Sequence, residues 1–353
     1  MARVHVSFAR APMQSRHACR MSELIELRPE GLYCAAGDFY IDPWRPVARA
    51  VITHGHADHA RAGSERYHAA RAGIGLLEWR LPGANLCPLD YGESVRMGAC
   101  QVSLHPAGHV LGSAQVRVEC AGEVWVVSGD YKRAPDPTCA AFEPQRCDVF
   151  ITEATFAMPI YRWPTMVEVI AELDAFWTEC QAQGETAVLL CYALGKAQRV
   201  LAELYAQCPH RRDEVVLLHG AMETPVDIYR RAGIHMLKSE SLIGSGVEST
   251  VGRLLIAPPS AAGSPFMRRV KNPKVAFASG WMQVRGVRRR ASHDRGFVIS
   301  DHADWPALIG SIRDSGATRV LATHGRTQAL VRYLNEQGIR ASALATELGG
   351  EDT

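Results

Sequence analysis

Over the first third of the chain, apolar residues come in short runs broken by turn residues: GLYCAAGD from Gly31, then FYIDP, then PVARAVIT running up to His54. Runs of this length between turn signals predict strands, stacked up before any long helix. Residues 101–104, 114–120 and 124–128 read the same way with little helix between them, the texture of a β-rich sandwich flanked by helices. After Glu153 the period changes. Residues 164–184, PTMVEVIAELDAFWTECQAQG, set apolar positions at helical spacing between a Pro and a Gly, and predict a helix. A strand (TAVLLCYA), a helix opening LGKAQRVLAELYAQ, a strand (EVVLLHG) and a helical stretch (TPVDIYRRAGI) follow, an α/β unit of about 130 residues with a parallel sheet. Short strands return from Phe297 (GFVIS, TRVLATHG), and residues 257–264, APPSAAGS, read as a loop.

Composition sets bounds on this picture. The chain has 353 residues, 47% hydrophobic and 22% charged, with a net charge of +2, which excludes disordered and collagenous classes and suits about two domains. Ten cysteines lie between Cys19 and Cys208 without a C-x-x-C pair, so reduced thiols and a cytoplasmic location are expected. No apolar run reaches the roughly 18 residues of a membrane span. The first twenty residues carry four arginines and no acid, lack the apolar core of a signal peptide, and are expected to form a disordered extension before Met21.

The chemistry concentrates at the end of one apolar run. His54, His56, Asp58 and His59 spell H-x-H-x-D-H. In an extended segment, side chains two apart project to one side, so His54 and His56 can reach one ion while Asp58 and His59 face a second. Imidazole and carboxylate are ligands that first-row transition ions accept. His109 in HPAGHVLG, Asp130 in VVSGDY and His324 in VLATHG each follow a strand-like run, and with the first loop they complete two coordination spheres.

At these residues the sequence resembles the metallo-β-lactamase fold, an α/β (αββα) sandwich holding two metal ions at the edge of its sheets. The resemblance implies His54, His56 and His109 on one ion, Asp58, His59 and His324 on the other, Asp130 between them, and Asp42 of FYIDP as the acid supporting the histidine loop. No cysteine stands in the second set, which sets the chain apart from the antibiotic-hydrolysing branch and accommodates manganese as well as zinc. Three further features resemble the β-CASP nucleases, which insert an α/β domain into the sandwich: Glu153 in VFITEATF, the α/β unit itself, and His302 in ISDHADW. The implied layout is a sandwich of residues 21–156 and 291–353 around an inserted β-CASP domain of residues 157–290. Within it, Asp58, Asp130, Glu153 and His302 are the implied catalytic group, the last two forming a proton donor to the leaving oxygen.

Substrate features follow. Gly195 and Lys196 open a helix, a setting that suits a phosphate. Ser279, Gly280 and Trp281 resemble the threonine-glycine-tryptophan turn with which Artemis-like DNA nucleases hold a 5′-phosphate. Nine Lys and Arg against one acid lie within residues 268–295, Arg288 and Arg289 among them, a stripe able to track a nucleic-acid backbone despite the near-zero total charge. The function that the resemblance implies is a two-metal phosphodiesterase on single-stranded DNA, a 5′-to-3′ repair exonuclease similar to the bacterial group associated with an ATP-dependent DNA ligase and a helicase. The alternatives are an RNA-processing β-CASP ribonuclease, to which His324 and LGKAQ lean, a glyoxalase II-like ester hydrolase, and a catalytically silent scaffold.

Overall fold

The computed structural model describes residues 23–243, 246–284 and 293–346. The expected extension over residues 1–20 and the arginines Arg285, Arg288, Arg289 and Arg290 lie outside the described residues.

Three sheets organise the described residues. The first, of six strands, takes β1 (Glu26–Arg28), β2 (Gly31–Cys34), β3 (Phe39–Ile41), β4 (Ala50–Ile52), β5 (Tyr67–Ala70) and β6 (Leu86–Leu89) in sequence order. Helix α1 (Ile74–Arg80) joins β5 to β6. The second sheet begins with the antiparallel run β7 (Ser94–Met97), β8 (Cys100–Pro106), β9 (Ala114–Cys120) and β10 (Glu123–Val127), then adds β11 (Val149–Glu153) in parallel. Its far edge comes from the end of the chain: β18 (Arg319–Thr323) pairs with β11, and β19 (Arg340–Ala343) with β18.

Side-chain alternation makes four layers. Along β11, Val149 and Ile151 enter the core shared by the first two sheets, together with Val51, Val127 and Leu321. Phe150 points the other way, joining Val126, Val320 and Ala322 under α5 (Trp305–Ser315) and α6 (Thr327–Glu336). On the opposite outer face, Ala50 and Ile52 pack with Leu77 and Leu81 of the α1 segment. A period of two with both faces buried is what a sandwich covered by helices requires.

Between β11 and β18 the chain builds the third sheet, wholly parallel, in the order β14 (Lys238–Ser241), β13 (Val215–Leu218), β15 (Leu254–Ala257), β12 (Thr186–Leu190), β16 (Pro273–Ala278) and β17 (Arg295–Phe297). Ala187 and Leu189 face one apolar cluster and Val188 and Leu190 the other, since parallel sheets are buried on both faces. Helices α2 (Met166–Gln183), α3 (Lys196–Gln207) and α4 (Gly220–Arg231) contribute to the larger cluster. The start of α2 is fixed by a capping box between Thr165 and Glu168, and Gly184 ends it at φ 67°. Its buried stripe includes Leu173, Phe176 and Trp177, each contributing about 1.5–3 kcal/mol.

Two sequence expectations change. The stretch from Phe297 onward is not purely strand-like: α5 and α6 lie within it, and α5 carries plain signals, with Asp304 accepting from the Ala307 N–H, Pro306 in the first turn and Gly316 at the end. The run GFVIS forms only the short β17, which pairs with β16, so the parallel sheet takes its last strand from just beyond residue 290.

Candidate metal centre

The expected ligands converge where strands of the first two sheets end. β4 ends two residues before His54, β8 three before His109, β10 three before Asp130 and β18 one before His324. Gly129, at φ 56°, turns the chain after β10, and a Cβ on it would lie 2.7 Å from the Thr53 Cβ. Only glycine lets the Asp130 loop approach the histidine loop so closely. Asp42 (φ 42°) and His324 (φ 57°) both hold left-handed backbone, which is uncommon for non-glycine residues.

The hydrogen bonds assign the imidazole tautomers. Asp42 accepts the Thr53 N–H at 2.7 Å and the Thr53 hydroxyl, so that hydroxyl is left to accept from His54 Nδ1 at 3.0 Å. The His59 Nδ1–H donates to Asp42 Oδ2 at 2.7 Å. His109 Nδ1 donates to the Asp301 carbonyl at 2.8 Å, and His56 Nε2 faces the Leu194 carbonyl at 3.4 Å. The Thr323 hydroxyl points to the Thr152 carbonyl and accepts from His324 Nδ1 at 2.9 Å. Each ring therefore directs one N–H outward to protein and turns its other nitrogen toward the carboxylates.

Those inward atoms form two groups. His54 Nε2 and His109 Nε2 each lie 3.1 Å from His56 Nδ1, with Asp130 Oδ2 at 3.6 and 3.8 Å from the first two. Four ligands at about 2.0–2.1 Å from one ion stand about 3.3 Å apart, so this spacing fits a cation at the centre. In the second group, His59 Nε2 is 3.6 Å from Asp58 Oδ2 and 3.4 Å from Asp130 Oδ2, and the His59 and His324 rings stack at 5.5 Å. His59 Nε2, His324 Nε2 and Asp130 Oδ1 are buried without a hydrogen-bond partner. Such orphaned polar atoms are costly unless an ion satisfies them. These buried His and Asp groups could hold divalent metal.

Electrostatics point the same way. Burial takes His54 and His109 well below the ordinary imidazole range, and His56 and His324 to about 4 against the pull of Asp130, leaving neutral ligands. Burial opposes charge on His59 too, but Asp130 and Asp42 outweigh it and raise that ring well above its usual value. Burial would likewise raise Asp130, yet His59, His302 and His54 hold its carboxyl well below the carboxylate range. The space between Asp58, His59 and Asp130 thus favours positive charge.

Beside this centre, His302 Nδ1 meets Glu153 Oε2 at 2.8 Å, and Glu153 Oε1 accepts the Tyr131 N–H at 2.9 Å. Asp130, Glu153 and His302 make a third compact group. The expected phosphate contacts near it are enclosed. Lys196 is 2% exposed with its ammonium 3.6 Å from Asp301, not open to substrate. Ser279 is buried, its hydroxyl accepting the Trp281 N–H, and a Cβ on Gly280 would strike the Phe156 ring at 2.6 Å, so the SGW turn packs against an aromatic cluster. Arg268 and Arg269 are exposed, while Lys271 and Lys274 pair with Glu248 and Glu185. The sequence reading missed Thr53, Leu194, Asp301 and Thr323, which orient the ligands, because backbone carbonyls and hydroxyls leave no spacing signal.

Asp42 carries a stability prediction. It receives three donors while buried, so Asp42→Ala should cost about 2–4 kcal/mol in urea unfolding. Asp42→Asn, which tolerates positive φ, should cost less. An unfolding midpoint unchanged in Asp42→Ala would contradict this account.

No family model matches the chain. A protein from Opitutus terrae named "Probable DNA ligase" is 31% identical over 331 residues, covering 91% of this chain, which spans only 31% of that protein's length. "Ribonuclease TTHA0252" of Thermus thermophilus is 29% identical over 308 residues, 77% of this chain and 69% of that protein. "Cleavage and polyadenylation specificity factor 73" of Drosophila melanogaster is 33% identical over 116 residues, 29% of this chain and 16% of that one. A crystal structure of a protein of unknown function from Enterococcus faecalis superposes with a TM-score of 0.54 at 12% identity, over 85% of this chain and 80% of that one, a likeness of fold alone. Similarity that runs through the sandwich and the inserted parallel sheet alike is to proteins of this kind, consistent with the chain's resemblance to the β-CASP metallo-β-lactamase nucleases.

Proposed function

We propose that the chain hydrolyses phosphodiester bonds in single-stranded nucleic acid, DNA before RNA, as a two-metal exonuclease entering from the 5′ end. The observation that carries this reading is the set of inward-facing imidazole and carboxylate atoms with the Glu153–His302 pair beside it at Asp130. In this reading His54, His56 and His109 hold one ion, Asp58, His59 and His324 the other, and Asp130 reaches both. Manganese or zinc ions bound there supply charge neutralisation at the phosphate and a more acidic water. The chain's own part is to orient and to move protons. Glu153 fixes His302 through Nδ1, and His302 in its protonated form gives a proton to the departing 3′-oxygen as the phosphorus–oxygen bond breaks. Asp42, Thr53, Thr323 and the carbonyls of Leu194 and Asp301 keep the five imidazoles in register.

In this proposal residues 21–156 and 291–353 form the catalytic sandwich and residues 157–290 the inserted β-CASP domain, except that β17 completes the parallel sheet from beyond residue 290. The ligase-named relative, which aligns with 91% of the chain, supports DNA as substrate and a working association with a DNA ligase; an ATP-dependent ligase, a helicase partner and a cytoplasmic location are further parts of the proposal. Among the described residues no helix is long and apolar enough to cross a membrane. The second reading, an RNA-processing nuclease, is favoured by His324 and by the ribonuclease-named relative. The test offers matched 5′- and 3′-labelled single strands, in DNA and in RNA, with manganese and with zinc. The expected result is early loss of label from 5′-labelled DNA, with RNA cut about tenfold or more slowly. Equal or faster cleavage of RNA would transfer the function to the second reading.

A further inference from the structure

Three cations are buried beside the centre without serving as ligands. Lys132, Lys196 and Arg199 are 1–2% exposed. Lys132 pairs with Asp136, Lys196 lies 3.6 Å from Asp301, and Arg199 reaches Asp136 at 3.4 Å, Asp301 at 3.9 Å and Glu203 at 3.9 Å. Three positive groups thus meet three negative ones, Asp136, Asp301 and Glu203. Burial alone would raise Asp136, yet Lys132 and Arg199 hold it down to about 2, so that carboxylate is ionised. Buried ion pairs are weak evidence for stability, because apolar residues of the same volume would serve as well; what they fix is one arrangement of the elements that carry them.

These elements are far apart in sequence. Lys132 and Asp136 lie in the loop after β10, Lys196 and Arg199 on the first turn of α3 in the parallel-sheet unit, and Asp301 in the loop before α5. Arg199 Nη1 also donates to the Ser300 carbonyl at 2.9 Å. Gly195, at φ 92°, brings the α3 backbone so close that a Cβ there would lie 3.2 Å from the Asp301 carboxylate. The held segment is the one that orients the site: the Asp301 carbonyl receives His109 Nδ1, and the next residue is His302. The loop leading into α3 supplies the Leu194 carbonyl that faces His56.

We infer that Arg199, with Lys196 and Asp301, is a positioning residue: the buried network docks the parallel-sheet unit onto the sandwich so that residues 300–302 set His109 and His302 for metal and substrate. The inference rests on the metal-centre reading above, and its test counts metal as well as turnover. Arg199→Met, Asp301→Asn, the double variant and Arg199→Lys are prepared, checked for wild-type circular dichroism, equilibrated with manganese and dialysed, and the retained manganese per chain is counted. Turnover is then measured on single-stranded DNA. Each single variant should bind manganese about 10- to 100-fold more weakly and lose kcat to a similar extent, with KM within about twofold. The double variant should lose little beyond the worse single one, because the two groups act as a unit, and Arg199→Lys should recover part of the loss. Wild-type manganese retention and kcat in Arg199→Met, or a loss confined to KM, would overturn the inference. Should Arg199→Met not fold, Asp301→Asn decides alone, since it keeps the carbonyl that receives His109. If the wild-type chain cleaves neither DNA nor RNA, the nuclease reading falls, and manganese retention by itself decides the positioning role.

Discussion

Asp130→Ala should abolish metal-dependent cleavage, lowering the rate at least about 10²- to 10³-fold, while the chain stays folded. Asp130 Oδ2 lies 3.6 Å from His54 Nε2, 3.4 Å from His59 Nε2 and 3.8 Å from His109 Nε2, so one carboxylate faces both ligand groups. Removing it strips the negative charge that attracts a cation and leaves the inward nitrogens facing a gap. The fold should tolerate the change because the carboxylate makes no hydrogen bond to backbone among the described contacts, and Oδ1 is unpartnered. Structural support around the centre comes instead from Asp42 and from Glu153, each of which accepts a backbone N–H. The checks are a labelled-strand assay, metal content per chain and an unfolding curve. Retained metal-dependent cleavage would sink the two-metal assignment, and collapse of the unfolding transition would mean that Asp130 is structural.

The contrast between Asp130 and Arg199 marks what the sequence could disclose. H-x-H-x-D-H was legible because its four groups lie within six residues and their direction follows from local backbone geometry. His109, Asp130 and His324 could be gathered only as candidates following strand-like runs, and Glu153 and His302 only through a family resemblance, since pairing of β18 with β11 joins residues 170 apart. The parallel sheet was legible from the alternation of apolar runs with helical ones. Helix α5 was missed although Asp304, Pro306 and Gly316 announce it, because the apolar runs flanking it drew the reading toward strands.

Lys196 shows a different limit. A lysine at a glycine-led helix start reads as a phosphate contact, and the local pattern is the same whether the ammonium points to solvent or to a buried acid. Asp301, 105 positions later, makes the difference, and nothing local encodes that meeting. Charge patterns along a sequence therefore locate a candidate surface, whereas burial and pairing decide whether it is one. The stripe over residues 268–295 illustrates the point: Lys271 and Lys274 lie near Glu248 and Glu185, which leaves Arg268, Arg269 and Arg295, the last 4.0 Å from Glu179, as the exposed part among the described residues.

His302→Ala should separate proton transfer from metal binding. His302 donates Nδ1–H to Glu153 Oε2 at 2.8 Å, so Nε2 is the nitrogen that can give up a proton. A departing 3′-oxygen is a poor leaving group as an alkoxide and a good one when protonated, and loss of a positioned general acid costs about 10²- to 10⁴-fold in kcat. Metal retention should be unchanged, because the His109 acceptor is the backbone carbonyl of Asp301, which the substitution leaves in place. The pH dependence gives the sign. An acid must be protonated to act, so wild-type kcat should fall as pH rises through the His302 titration, and His302→Ala should lose that alkaline limb. Glu153→Gln removes the negative charge that favours the protonated ring, so it should shift the same limb to lower pH while keeping a hydrogen-bond partner for Nδ1. A substrate whose leaving oxygen is already acidic, such as a nitrophenyl phosphodiester, needs no proton and should be cleaved by His302→Ala at close to the wild-type rate. Equal loss on both substrates would assign His302 to structure or to metal binding and remove it from proton transfer.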